Sequence, residues 1–235
     1  MVGNYVPSNK QTNHFASGSQ STQSYDGLDD PSVIIAIRAL DETKNSPVYL
    51  DLHASYAPNW VKAKSFSSTE GSGTVSRGGE SGNLEVELSK KMNRLILEGF
   101  AGGGYSGVRK IYSQIGNGYF REDSYFNYYA GTNVEEFLSN RFAVNAGAQY
   151  TFSNQNNIDE RSNDGTEENF RPGGQYIFNA GFNYSLLPKN ALIEVYYHYA
   201  IYNNSHLDYP AFPTFDATTK NENNNMVGAA FRYVF

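Results

Sequence analysis

Apolar and polar residues alternate along most of the chain from residue 32 onward. In the run RFAVNAGAQYTF, residues 141–152, every even position is apolar or aromatic and most odd positions are polar or glycine. The run QYIFNAGFNYSL, residues 175–186, repeats the pattern. A period of two is typical of β-strands that have one apolar face and one polar face. The sequence therefore predicts an all-β fold.

Nine segments carry this alternation, and two kinds of connection join them in turn. Short turns are expected at 42–46, 91–93, 138–140 and 187–190, and long polar loops at 59–82, 109–123, 155–172 and 205–222. Transmembrane β-barrels have short periplasmic turns and long external loops, whereas a Greek-key sandwich has no reason to alternate its connections. The predicted strands are 32–40, 47–58, 83–91, 94–107, 124–134, 141–152, 175–186, 191–202 and 223–235.

The last predicted strand carries a resemblance to a known class of protein. Its sequence, NNNMVGAAFRYVF, places Phe231 and Tyr233 at alternate positions before Phe235. It resembles the closing strand of bacterial outer-membrane β-barrel proteins, whose assembly machinery reads a C-terminal Phe preceded by alternating apolar residues. The resemblance implies that Phe231, Tyr233 and Phe235 form a barrel-assembly signal. It also implies a bacterial outer-membrane location and contact with lipid, lipopolysaccharide and the barrel-assembly machinery.

The alternating pattern begins at residue 32 and so divides the chain into two parts. We expect a polar N-terminal segment at 1–31 and a barrel domain at 32–235. Both ends of such a barrel normally lie on the periplasmic side, which requires an even number of strands. Either residues 2–10 form a short first strand, or the sequence is part of a longer protein with strands upstream. We predict an antiparallel transmembrane β-barrel of ten strands, with eight as the alternative.

Composition narrows the class further. Mean hydropathy is −0.56, and no apolar run approaches the roughly 20 residues that a membrane-spanning helix needs. Alternation lets barrel strands remain polar on average, and the 19 Tyr and 15 Phe suit aromatic belts at the membrane interfaces. The absence of Cys excludes disulfides and thiolate metal sites. A net charge of −6 argues against a nucleic-acid partner.

Ionisable residues within the predicted strands fall almost entirely on the face opposite the apolar one. Buried charges must be paired or hydrated, so we predict a polar network inside the barrel. The network is either a structural plug or the lining of a narrow solute path, which its Glu residues would make favourable for cations. Its predicted members are Arg38, Asp51, His53, Glu85, Glu87, Arg94, Glu98, Arg141, Glu194, His198 and Arg232.

Signals of catalysis are sparse. His206 lies near Ser205 and Asp208 at the base of the last predicted loop, but adjacency in sequence is a weak sign of a catalytic site. The acidic run 159–168 has Arg161 at the third position of an EF-hand spacing, where an oxygen ligand is needed. We therefore predict no catalytic residues, no metal site and no cofactor.

The last long loop suggests a role for the outside of the molecule. It presents Tyr209, Phe212 and Phe215 close to two prolines. We interpret these rings either as contacts for an extracellular partner or as a cover over the barrel mouth. We predict a non-enzymatic outer-membrane scaffold whose surface loops bind an extracellular ligand. The alternatives are a narrow porin-like channel for small solutes or cations, and the C-terminal membrane domain of a longer export protein.

Overall fold

The structure is a computed structural model. The residues that it describes form β-strands and connecting segments, with one 3-10 turn at Glu42–Lys44. In the part of the chain that it describes, no helix has the length and apolar character needed to cross a membrane. The described residues are 5–14, 20–28, 30–44, 46–61, 72–74, 78–112, 119–154, 156–160, 166–187, 191–208, 214, 216–220 and 222–233.

Three β-sheets contain all the described strands. The main sheet has the order β18-β15-β14-β11-β10-β7-β6-β4-β3, the outer sheet β17-β16-β13-β12-β9-β8 and the N-terminal sheet β1-β2-β5. In chain order the strands are β1 Tyr5–His14, β2 Gln20–Leu28, β3 Val33–Leu40, β4 Tyr49–Ala57, β5 Ser72–Thr74, β6 Ser81–Met92, β7 Leu95–Ser106, β8 Arg109–Tyr112, β9 Tyr119–Glu122, β10 Tyr125–Phe137, β11 Phe142–Ser153, β12 Asn156–Glu160, β13 Thr166–Arg171, β14 Gln175–Leu187, β15 Ala191–Tyr202, β16 Ser205–Asp208, β17 Asp216–Thr219 and β18 Asn223–Tyr233.

The main sheet consists of the nine strands that the alternation predicts, each antiparallel to its neighbours. Alternate residues of β10 differ in exposure: Phe126, Tyr128 and Val134 are exposed, whereas Tyr129 and Asn133 are half-buried. The other central strands repeat this pattern. The sheet therefore has an apolar face, where the exposed aromatic and aliphatic side chains lie, and a polar face. The predicted all-β, antiparallel class is confirmed.

In the part of the chain that the structure describes, the apolar side chains do not build an internal core. Among the described residues, the buried hydrophobic ones are Ala143, Ala191 and Ala200. Large side chains stay exposed instead, with Val227 at 75%, Leu84 at 69% and Phe231 at 63% of their surface accessible.

The outer sheet corrects the sequence-based prediction of long loops. The segments predicted as loops at 109–123, 155–172 and 205–222 fold into three β-hairpins, β8–β9, β12–β13 and β16–β17. These hairpins also pair with one another, through β9–β12 and β13–β16. Their backbone groups satisfy one another in the ladder, and their sequences carry no regular period-two alternation of apolar residues. Hydrophobic periodicity therefore gave no sign of them.

The tenth strand is absent from the main sheet as far as the structure describes the chain. A strand does form near the predicted position, at Tyr5–His14, but it pairs with Gln20–Leu28 in the N-terminal sheet. That sheet also contains β5, which runs parallel to β2. The main sheet is left with two edge strands, β3 and β18.

Two glycines on the polar face make room for tyrosine rings on the neighbouring strand. Gly102 lies directly opposite Tyr129, and Gly228 directly opposite Tyr196. A Cβ atom at Gly102 would lie 2.5 Å from Tyr129 Oη and 2.7 Å from the Leu84 carbonyl oxygen. Glycine in a strand commonly marks such a close approach. The space above Gly102 lets the Tyr129 side chain extend across β7 toward β6.

Candidate functional site

The candidate site lies on the polar face, where four neighbouring strands place residues in one row across the sheet. His53 on β4 is opposite Glu85 on β6, Glu85 is opposite Gly102 on β7, and Gly102 is opposite Tyr129 on β10. Because Gly102 has no side chain, Tyr129 Oη reaches over it and donates a 2.8 Å hydrogen bond to Glu85 Oε2. Asn83 Nδ2 in turn donates to Tyr129 Oη at 2.7 Å. These bonds hold the Glu85 carboxylate in place.

The next row contains the best-matched ion pair of this face. Arg38 on β3 donates two hydrogen bonds to Asp51, from Nε to Oδ1 at 2.8 Å and from Nη2 to Oδ2 at 2.7 Å. The guanidinium also lies 4.6 Å from the centre of the Tyr49 ring. This two-point geometry is the strong form of an arginine–carboxylate pair. The charge of Asp51 is thus matched locally, although the Arg38 side chain remains 52% exposed.

His53, Glu85 and Glu87 each direct one donor atom into a common space. The three atoms, one nitrogen and two carboxylate oxygens, all lie within 4.8 Å of one another. His53 Nε2 is shielded from solvent and has no hydrogen-bond partner. Its distance to Glu87 Oε2 is 3.6 Å, which is too long for a hydrogen bond. The trio therefore combines an unsatisfied imidazole nitrogen with two carboxylates.

A polar cavity of about 340 Å³ adjoins this trio toward the short-turn end of the main sheet. Asn133 Nδ2 donates to Glu98 Oε1 at 2.6 Å within it. Its carboxylates outnumber its cations, and its Arg38 is engaged by Asp51. Such a space suits hydrated cations. The lining residues are Arg38, Tyr49, Glu87, Ser89, Lys91, Ile96, Glu98, Asn133 and Glu135.

Other members of the predicted lumen network lie apart from this site. Arg94 and Arg141 are exposed in the short turns before β7 and β11, not within strands. Glu194 and His198 lie on the polar side of β15, with the His198 ring centroid 4.9 Å from that of Tyr196. Arg232 lies opposite Leu192 in the β15–β18 register. The structure thus brings together Arg38, Asp51, His53, Glu85, Glu87 and Glu98 but not the whole predicted set.

The sequence-based prediction overlooked several polar-face residues that the structure places at the site. Tyr129 and Asn83 support Glu85, and Glu135 and Lys91 line the cavity. Glu135 follows Asn133 by two residues, so a longer extension of the same alternation would have found it. The bond from Tyr129 to Glu85 spans three strands, and the sequence signal for it is the glycine between them.

The structure describes part of the predicted assembly signal and none of the predicted loop contacts. Phe231 is exposed on the apolar face, and Tyr233 lies opposite Ala191 on β15. Phe235 lies outside the described residues, as do Tyr209, Phe212 and Phe215.

The residues near His206 do not assemble a nucleophile with a general base. Ser205 and His206 are adjacent in β16, so their side chains point to opposite faces of the outer sheet. His206 Nδ1 instead makes a 3.1 Å hydrogen bond with Thr218 Oγ1. Asp208 faces Arg171, whose Nη2 lies 3.8 Å from Asp208 Oδ2. These residues therefore form two separate polar pairs, His206 with Thr218 and Asp208 with Arg171.

Comparisons with known proteins find similarity among solved structures but not among sequences. No protein-family model and no curated protein matches the sequence. Among solved structures, the chain is similar to the outer membrane protease OmpT from Escherichia coli, with a TM-score of 0.44 and 13% identity over 99% of this chain and 93% of that one.

This comparison corrects the predicted function. The prediction of a non-enzymatic scaffold disagrees with this comparison, in which the similar solved structure is that of a protease. A TM-score of 0.44 does not carry the activity of that protease over to this chain.

Proposed function

We propose that this protein is an integral β-barrel of a bacterial outer membrane, with its apolar face against lipid and its polar face around a hydrated interior that binds cations. The observation that carries the proposal is the distribution of apolar side chains. Among the described residues, thirty large hydrophobic side chains are exposed while the buried hydrophobic ones are three alanines. A protein folded in water buries such side chains, because each gains about 1.5–3 kcal/mol on burial.

A lipid environment accounts for the exposure of these large hydrophobic side chains. Soluble monomers rarely expose contiguous apolar patches larger than a few hundred Å². Here the apolar face continues across the nine strands of the main sheet. Hydrocarbon chains solvate such a face without cost, and alternation that is apolar outside and polar inside is the pattern of transmembrane barrels. Outer-membrane lipid and lipopolysaccharide are the partners that this face fits.

The two sheet edges support closure of the barrel by a tenth strand. In hydrocarbon, an unpaired edge leaves backbone groups unsatisfied at several kcal/mol each, so spanning sheets close. Because all neighbouring strands of the main sheet are antiparallel, its first and ninth strands, β3 and β18, run in the same direction. One further strand is needed to pair antiparallel with both. Among the described strands, we propose that β1 or β2 supplies it.

The interior that we propose is acidic and hydrated. The carboxylates of Glu85, Glu87 and Glu98 lie on neighbouring strands, and the nearby cation of Arg38 is already paired with Asp51. Uncompensated carboxylates in an enclosed space require counterions or water. Cation binding follows from this charge balance.

Cell fractionation and gel migration test the membrane assignment. We expect the chain, expressed in a Gram-negative host with a secretion signal, to sediment with outer membranes and to require detergent for extraction. An unheated sample should migrate differently from a boiled one, because a closed barrel resists the denaturing detergent of the gel. An epitope inserted between β12 and β13 should be labelled on intact cells. A monomer that stays soluble without detergent would overturn the proposal.

A further inference from the structure

We propose that His53, Glu85 and Glu87 form a binding site for one divalent transition-metal ion, with Zn²⁺ as the ion to test. The inference deepens the proposed function, since it assigns the cation-binding interior a specific site, and it rests on that function only for the enclosure of the polar face. The positions of the donors come from the paired strands β4 and β6 alone.

The register of these two strands creates the donor set. His53 and Glu85 are directly opposite each other, and Glu87 follows Glu85 by two residues on the same face. Neighbouring positions on one face of a sheet are close enough for their side chains to share a ligand. The donor atoms accordingly lie within 4.8 Å of one another.

The state of His53 Nε2 points to a ligand. This nitrogen is shielded from solvent and makes no hydrogen bond, although the side chain as a whole is 35% exposed. It lies 3.6 Å from Glu87 Oε2. Two donors bound to a tetrahedral zinc at about 2.0–2.2 Å stand about 3.4 Å apart. The separation is thus too long for a hydrogen bond and close to that of two ligands of one ion.

Local charge favours a divalent cation. Arg38 neutralises Asp51, but no such arginine pair is described for Glu85 or Glu87. Tyr129 gives Glu85 a neutral hydroxyl donor, which holds the carboxylate without cancelling its charge. Two adjacent carboxylates in a partly buried space repel each other, and an ion of charge +2 would offset both.

The surrounding hydrogen bonds have the form of a supporting shell for a metal ligand. Asn83 donates to Tyr129, and Tyr129 donates to Glu85. Ligating carboxylates are commonly oriented by hydrogen bonds of this kind, and loss of such a partner typically weakens metal affinity by about 10- to 100-fold.

The chemistry of the donors selects the class of metal. An imidazole nitrogen suits zinc and the other later first-row ions, whereas Mg²⁺ and Ca²⁺ prefer sites made of oxygen ligands. Three protein ligands leave one position of a tetrahedral zinc for water. We therefore expect Zn²⁺ to bind with Ca²⁺ in excess.

Calorimetric titration of the whole folded chain with Zn²⁺ tests the site. The protein is freed of metal with a chelator in detergent micelles and titrated in the presence of excess Ca²⁺. One Zn²⁺ per chain is expected. His53→Asn and Glu87→Gln should each remove binding at concentrations that saturate the unchanged protein, and Tyr129→Phe should weaken it about 10- to 100-fold.

His198→Asn is the matched control, because it removes another imidazole from the polar face without touching the trio. It should bind Zn²⁺ like the unchanged protein. Circular dichroism and heat-modifiable migration establish that each variant is folded, and Tyr129→Phe provides a test that alters no ligand should His53→Asn fail to fold. The inference is overturned if the unchanged protein binds no Zn²⁺, or if folded His53→Asn keeps its affinity.

Failure of this inference is distinguishable from failure of the proposed function. A membrane-inserted barrel that binds no Zn²⁺ contradicts only the metal site. A chain that proves soluble contradicts the membrane assignment, and the same titration in plain buffer still decides the metal site.

Discussion

At the scale of single residues, the packing of the polar face depends on its glycines as much as on its larger side chains. Gly102 leaves the space through which Tyr129 reaches Glu85, and Gly228 accommodates the ring of Tyr196. Side chains from neighbouring strands thus interlock on a face that has few apolar groups to pack. Steric fit at these glycines therefore contributes to stability and also positions a carboxylate.

Replacing Gly102 by Ala should destabilise the protein. The new Cβ would lie 2.7 Å from the Leu84 carbonyl oxygen, which as a backbone atom cannot move aside easily. Overpacking of this kind costs about 1–3 kcal/mol, measured as the free energy of unfolding in urea from micelles or vesicles. Gly99→Ala on the same strand is the control, because no atom lies within 4 Å of its Cβ position, and its effect should stay within about 0.5 kcal/mol. Equal effects of the two substitutions would contradict the steric argument.

The turn between β3 and β4 offers a pH-dependent test outside the membrane-spanning strands. Hydrogen bonds from the Thr43 hydroxyl at 2.5 Å and its backbone N–H at 2.9 Å hold the pKa of Asp41 below its usual value. Thr43→Val should raise this pKa toward the ordinary range, and Thr43→Ser should not, as followed by NMR titration of the Asp41 carboxyl. Because folding lowers this pKa, its stabilising contribution is present above the unfolded value and disappears as pH falls through the folded one. An unchanged pKa in Thr43→Val would contradict the assignment.

At the scale of elements, period-two alternation predicts the strands of the main sheet but not those of the other two sheets. The nine main-sheet strands were predicted within a few residues, because each must separate an apolar from a polar face. The outer hairpins could not be predicted, since their short segments carry no regular alternation of apolar and polar residues and their strands pair through backbone ladders. The pairing of β1 with β2 could not be predicted from the sequence either, because polar strands specify their register weakly.

Cysteine cross-linking can identify the strand that closes the main sheet. The chain has no Cys, so two introduced thiols are the only ones present. With one cysteine at Ile35 on β3 and a second scanned along β1, β2 and β18, we expect a disulfide with β1 or β2 in the membrane-inserted protein. The pair Ile37 and Leu52, which are opposite each other in the register, is the positive control. Cross-links from β3 only to β18 would show a sheet closed without a tenth strand.

At the scale of the whole molecule, the candidate site shows why the sequence alone was insufficient. Alternation placed His53, Glu85 and Glu87 on the polar face. Their convergence depends on the register of β4 against β6, and the connection between these strands is too long to determine that register. The support from Tyr129 depends on a glycine two strands from His53. Such contacts arise only when the complete sheet is assembled.

The membrane assignment of the whole molecule can be tested with one charge at two depths. Val86 lies near the middle of β6 on the apolar face, and Met92 ends the same strand on the same face. In a bilayer, Val86→Arg should lower the free energy of unfolding by about 2–4 kcal/mol and Met92→Arg by about 0–1 kcal/mol, because the cost of a charge falls from the bilayer centre to its interface. Urea unfolding from lipid vesicles measures both. If the apolar face met water instead, an arginine at either exposed position would change stability by no more than about 0.5 kcal/mol, and that result would contradict a lipid-facing sheet.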